Sequence, residues 1–190
     1  MAVTMDWLSR EKMTRAWRWG IPLILGIVVL DQLSKQWVLG NPEFQAIDCL
    51  NRLAPCGRIE VSSVFDFSMM WNRGISFGLA QSDGLARWGL FVLILGIAIG
   101  FTLWLLRAQR SLTALALAMV VGGAVGNLID RAVFGAVVDF IDFTGPWFGL
   151  NIGEWPVGFP WIFNVADASI SIGAIILLLD QLLVSRNPAR

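Results

Sequence analysis

Residues 122–131 read GGAVGNLIDR, residues 137–143 read VVDFIDF and residues 163–173 read FNVADASISIG. The first block closes a long apolar segment, the second follows a Phe-Gly turn, and the third opens the last apolar segment. Asp139 thus falls just past the third hydrophobic segment, and Asp167 falls in the first turns of the fourth. A carboxylate inside or at the lip of a membrane span is costly, so it usually faces a polar cavity and marks a functional site. Asn127, Arg131 and Asn164 lie near the two aspartates in sequence, which points to a carboxylate pair that shares a proton. The plainer alternative is that one aspartate caps a helix and the other faces water at the interface.

The surrounding composition narrows the chemistry. Of 190 residues, 56% are hydrophobic and 15% charged, and the apolar ones come in long blocks, as in an integral membrane protein. The length fits one domain over 1–190. Histidine is absent, which excludes Ser-His-Asp and Cys-His catalysis and any His-ligated zinc or haem. Lys12 and Lys35 are the only lysines, so a Ser-Lys mechanism would have to use one of them. Ser34 and Lys35 are neighbours on a helix and point about 100° apart, which makes a poor dyad. Carboxylates are left as the agents.

Four spans follow from the apolar blocks, at about 19–39, 85–106, 111–129 and 165–184, each near the ~20 residues a crossing requires. Arg10, Lys12, Arg15 and Arg18 precede the first, as in a signal peptide. No small-residue cleavage site follows, and Asp31 and Lys35 interrupt where one would stand, so a retained helix is expected. Asp31 and Lys35 are four apart on one helical face. That pair serves either to lower the cost of burying two charges or to brace an active site. Gly96 and Gly100 in the second span form a helix-packing signal. Gly122, Gly123 and Gly126 in the third admit a close neighbour, and Asn127, Asp130 and Arg131 end it.

Two long segments, 40–84 and 130–164, connect the spans. Within the first, residues 58–72 (RIEVSSVFDFSMMWN) alternate in part with period two, carry β-branched and aromatic residues and predict two or three short strands. Asn72 and Arg73 beside Gly74 in WNRGISFG (71–78) put amide and guanidinium donors on a bendable backbone, though a plain turn explains them as well. Cys49 and Cys56 either close a small loop or stay free thiols, and no second pair completes a metal site. The second segment carries Trp147, Phe148, Trp155, Phe159 and Trp161, an aromatic loop suited to the headgroup zone. The N-terminus, the 107–110 turn and the tail hold eight of the fourteen Lys and Arg residues. The positive-inside rule therefore puts both termini in the cytoplasm and both long segments outside. The expected fold is an all-α membrane protein of four transmembrane helices. It has a small extracytoplasmic β-cradle between helices 1 and 2 and an aromatic loop between helices 3 and 4.

DQLSK (31–35), WNRGISFG (71–78), GGAVGNLIDR (122–131), VVDF (137–140) and FNVAD (163–167) resemble the motifs of lipoprotein signal peptidase (signal peptidase II), in the family's order. The resemblance covers nearly the whole chain. It implies an aspartyl endopeptidase of the bacterial inner membrane, with its active site at the outer leaflet. Such an enzyme removes the signal peptide of prolipoproteins just before a cysteine that already carries diacylglycerol. By the same resemblance the catalytic pair falls on Asp139 and Asp167. Asp31, Lys35, Asn72, Arg73, Gly74, Asn127, Asp130, Arg131 and Asn164 match supporting positions. Ile75-Ser76 and the longer loop at 40–57, with its two cysteines, depart from the family pattern. The implied partners are a lipidated prolipoprotein and membrane lipid, with no nucleic acid, and nothing demands more than a monomer.

The chemistry agrees with that expectation. Two carboxylates held close do not both ionise easily and share one proton. One takes a proton from water while the other polarises the scissile carbonyl. The scheme requires no metal and no other cofactor. A proton-coupled transporter using Asp31, Asp139 and Asp167 would call for broken helices in duplicated halves, which the sequence lacks. A non-enzymatic scaffold would not account for Asn, Asp and Arg gathering at span ends beside both aspartates.

Overall fold

The computed structural model describes residues 16–51, 56–74, 85–143, 151–152, 155–156 and 161–186. A π-helical turn, Ala16–Gly20, leads into α1 (Ile21–Gly40). Pro22, which has no N–H to donate, stands where the π-helical turn gives way to α1. The short α2 (Pro42–Ala46) follows, capped by Asn41, whose side chain accepts from the Glu43 N–H at 2.9 Å. Then come β1 (Cys56–Glu60), β2 (Asp66–Asn72), α3 (Leu85–Arg107), α4 (Ser111–Val133) and β3 (Val137–Asp142). Two-residue strands β4 (Asn151–Ile152), β5 (Trp155–Pro156) and β6 (Ile162–Phe163) precede α5 (Val165–Arg186).

Among the described residues four helices are long and apolar enough to cross a membrane: Arg18–Gly40, Arg87–Arg107, Ser111–Val133 and Val165–Leu183. Their burial is inverted relative to a soluble protein. On α1 the apolar Leu25, Val29, Leu30 and Leu33 are exposed, whereas Asp31 and Lys35 are buried. That pattern suits a lipid solvent, in which polar groups turn inward.

The chain divides into two compact units. One comprises Met1–Leu30, Phe91–Ile129 and Val165–Arg190 and holds, among the described residues, helices and the turn at 108–110. Its centre is α4, the most buried span. Gly122 of α4 lies against Ile24 and Ile27 of α1, where an added Cβ would stand 3.1 Å from the Ile27 Cβ. Gly123 faces α5 instead, against the Ala166 carbonyl and Ile170. Gly173 of α5 returns the contact, 2.8 Å from the Ala116 carbonyl by the same measure. The glycines read as close-packing positions at 122 and 123 are therefore used by neighbouring helices. Gly96 and Gly100 of α3 meet nothing within 4 Å, so the GxxxG expected to pack has no neighbour among the described residues.

The second unit comprises Asp31–Leu90 and Asp130–Asn164 and holds an antiparallel sheet in the order β1-β2-β3-β6. The expected cradle is present and larger than foreseen. β1 and β2 come from the segment after α1, whereas β3 and β6 come from the segment after α4. Asp66 pairs with Asp142 and Asn72 with Val137, with an irregularity between Phe67 and Met70. Gly135, at φ 75, ends α4 and turns the chain into β3, a conformation that favours glycine. Its N–H donates back to the Arg131 carbonyl at 3.1 Å. Cys49 is buried and disulfide-bonded, and Cys56 is the only other cysteine in the chain. Residues 75–84, and Trp147, Phe148 and Phe159 of the aromatic loop, lie outside the described residues.

Candidate active site

Asp139 projects from the middle of β3 and is 1% exposed. Asn72, at the end of β2, donates its amide to Oδ2 at 3.0 Å. Asn164, fully buried after β6, donates to Oδ1 at 2.7 Å and to the Val138 carbonyl at 3.2 Å. One amide therefore reaches each oxygen, and the sheet register brings both there. Burying a carboxylate without such donors would cost several kcal/mol.

Behind β3 lies a charged cluster. Lys35 Nζ is 2.8 Å from Asp31 Oδ2 and 2.8 Å from Asp130 Oδ2, with all three side chains at most 1% exposed. The i,i+4 pair expected on α1 thus exists and is joined by an aspartate of α4. Gln32 Nε2 donates to Asp130 Oδ1 at 2.9 Å and to Asp31 Oδ2 at 3.2 Å. The Val138 N–H donates to Asp130 Oδ2 at 3.1 Å. Ser34 Oγ donates to the Asp31 carbonyl at 2.8 Å, while the Lys35 ammonium sits on carboxylates, which gives a Ser-Lys dyad no support. Arg131, one residue past Asp130, donates to the Gly74 carbonyl at 2.9 Å, and the Gly74 N–H donates to Asn72 Oδ1 at 3.2 Å. Arg73, between them, is half-buried at the end of β2.

Asp167 is built in the helical unit, as the third residue of α5. Asn127 of α4 donates to its Oδ1 at 2.7 Å. Gly123 lies one turn before Asn127 on the same face, and Ala166 immediately precedes Asp167. The close approach at Gly123 is what lets the short asparagine reach the aspartate. Asn164, three residues before Asp167 in sequence, precedes α5, and its amide reaches Asp139 and the Val138 carbonyl.

Two further polar clusters escaped the sequence reading. In the sheet, Arg58 Nε donates to Asp66 Oδ2 at 2.6 Å and Ser68 Oγ to Asp142 Oδ2 at 2.7 Å. The Arg58 guanidinium is held above its ordinary value, first by the hydrogen bond to Asp66, against the opposing effect of burial, with the charges of Asp66, Asp142 and Glu60 adding to the rise. Within α5, Asp180 is fully buried, and Thr113 Oγ1 donates to its Oδ2 at 2.5 Å. Arg110 Nη2 lies 2.8 Å from Asp180 Oδ1, an ion pair by distance that lacks the angle of a hydrogen bond. An aspartate inside an apolar span is itself a signal, and Asp180 was legible on that ground.

The sequence profile of the family described as signal peptidase (SPase) II matches residues 23–183. A lipoprotein signal peptidase of Methylorubrum extorquens (strain PA1) is 41% identical over 169 residues, 88% of this chain and 87% of that protein. Its counterpart in Caulobacter vibrioides is 38% identical, covering 84% of each. A bacterial membrane enzyme solved by the in meso method at 1.9 Å is 26% identical. It superposes with a TM-score of 0.64 over 86% of this chain and 92% of that one.

Proposed function

Because the chain belongs to the signal peptidase II family, whose members are membrane peptidases of the aspartic type, we propose that Asp139 and Asp167 are its catalytic pair. Its activity is removal of the signal peptide from prolipoproteins, with the cut placed before a diacylglyceryl-modified cysteine. The observation that carries the residue assignment is that each aspartate receives the amide of an asparagine: Asn72 and Asn164 at Asp139, Asn127 at Asp167.

In the proposed reaction one carboxylate is ionised and removes a proton from water as the water attacks the scissile carbonyl. The other carboxyl is protonated and donates to the carbonyl oxygen. When the tetrahedral intermediate collapses the roles reverse, and the nitrogen leaves protonated. The amides orient the carboxylates without supplying protons of their own. Arg131 and Asn72 hold Gly74, and the Asn72–Gly74 backbone supports the substrate peptide, with Arg73 beside it. Asp31, Lys35 and Asp130 brace the sheet that carries Asp139.

The chain acts as one peptidase domain and as a monomer in the bacterial inner membrane. Both termini lie in the cytoplasm and the site at the outer leaflet, in keeping with the distribution of Lys and Arg. Depth in the membrane suits a substrate whose acyl chains stay in the bilayer. A reporter active only outside the cytoplasm should work when fused at residue 50 and fail at residue 109; the reverse would invert the orientation.

The decisive experiment is incubation of the purified protein with lipidated and unlipidated prolipoprotein. Only the lipidated form should be shortened. Asp139→Asn and Asp167→Asn should each lose turnover by several orders of magnitude while remaining folded. Asp142→Asn, which keeps an oxygen for Ser68, should retain it. An inactive Asp142→Asn beside an active Asp139→Asn would move the assignment within β3.

A further inference from the structure

The geometry points to Gln32 as a positioning residue for Asp139, acting through Asp130 and the backbone of Val138; this rests on the reading of Asp139 as catalytic. The link consists of three contacts in series. Gln32 Nε2 donates to Asp130 Oδ1 at 2.9 Å. The other oxygen, Oδ2, receives the Val138 N–H at 3.1 Å and the Lys35 ammonium at 2.8 Å. Val138 is covalently joined to Asp139.

Asp130 is fully buried, and its two oxygens have separate tasks. Oδ2 carries the strand and the lysine. Oδ1 decides how the carboxylate is rotated about its own axis, and Gln32 is the group that fixes Oδ1. A carboxylate held on one oxygen alone can swing, and a swing shifts the direction in which Oδ2 accepts from Val138. Val138 lies opposite Trp71 in the β2–β3 register, so displacement of its amide is transmitted to Asp139, whose oxygens depend on amides from two other strands' ends. Gln32 also spans the two acids that Lys35 neutralises, donating to Asp31 Oδ2 at 3.2 Å. An amide suits that place better than a charge. A second cation would be redundant beside Lys35, and a carboxylate would face two others.

Gln32→Leu removes the donors at nearly constant size, and Gln32→Asn keeps the amide but ends one methylene short of Asp130. Both are compared with the parent in nanodiscs, using a diacylglyceryl-modified prolipoprotein as substrate. A misplacement of the reacting group by a fraction of an ångström lowers kcat by about tenfold, with KM within about a factor of two. Deuterium uptake across residues 137–142 should rise in both variants, a change that loss of packing at residue 32 would not produce. Full kcat in either folded variant overturns the inference, as does a loss carried by KM with unchanged uptake at 137–142. If Gln32→Leu does not fold, Gln32→Asn decides alone. Asp139→Asn is run alongside. If it keeps turnover, the reading of Asp139 falls; if it is inactive while both Gln32 variants run at full speed, only the role of Gln32 falls.

Discussion

Lys35→Met deletes an ammonium but keeps most of the length and apolar volume of the side chain. The ammonium touches Asp31 and Asp130 at 2.8 Å each, and no side chain in the trio is more than 1% exposed. Removing one partner of a buried ion pair costs about 3–5 kcal/mol, because the remaining charge is left in a low-dielectric site. Here two carboxylates lose the same cation, and the Gln32 amide offsets only part of the loss. For a chain of this size each kcal/mol moves the thermal midpoint by about 2–4 °C. The expected drop is therefore about 6–20 °C, read by tryptophan fluorescence during thermal unfolding in detergent micelles. Adding Asp31→Asn removes one of the stranded charges and should recover about half of the loss, since the two sites are coupled. Turnover per folded molecule should fall without vanishing. A midpoint within about 2 °C of the parent, equivalent to less than about 1 kcal/mol, would refute the charge-compensation argument. A well-folded but wholly inactive Lys35→Met would instead place the lysine in the chemistry.

Gly123→Val puts carbon where an added Cβ already stands 2.7 Å from Ile170 Cγ1 and closer still to the Ala166 carbonyl. Pushing α5 off α4 should break the Asn127–Asp167 bond and cut kcat by about a hundredfold, and wild-type turnover would contradict the packing. Thr113→Val withdraws the hydroxyl from buried Asp180 at nearly constant shape. It should cost about 1–3 kcal/mol, visible as a lower thermal midpoint, and an unchanged midpoint would show that Asp180 does not need the bond. Cys49→Ser opens a short loop and should cost about 2–3 kcal/mol. Alkylation of the unreduced parent should label neither cysteine, and two labels would mean that no bridge forms.

The membrane spans were legible because a run of some twenty apolar residues is a strong local signal. The Asp31–Lys35 pair was legible for a similar reason, since four residues on a helix fix the face. What stayed hidden depends on contacts far apart in the chain. Gln32 and Asp130 are 98 residues apart, and no local period announces that they meet. VVDFID could be placed after the third span, but its strand character depends on pairing with β2, for which nothing in its own six residues specifies a partner. Asp142 stands three residues beyond Asp139 in the same strand. Its bond to Ser68 across the sheet gives it a structural task that only the register reveals. Asp180 differs from these, because its intramembrane position was visible and its partners Thr113 and Arg110 lie on another helix and in a turn.

The strand pairing between β2 and β3 sets an order of events during synthesis. Asn72 leaves the ribosome 67 residues before Asp139, the residue it will hold. At about 5–20 residues per second that gap lasts about 3–13 s. Throughout it β2 has β1 on one side and a bare edge on the other, while two spans are made and a third is still to come. An unpaired edge is a template for unwanted pairing, and β2 meets that hazard with Asp66, Asn72 and the irregularity between Phe67 and Met70. With the proposed topology, the nascent chain therefore carries half of the cradle through the membrane before either proposed catalytic aspartate has been made. A protein arrested before α4 would be inserted, yet could not cut anything on the way.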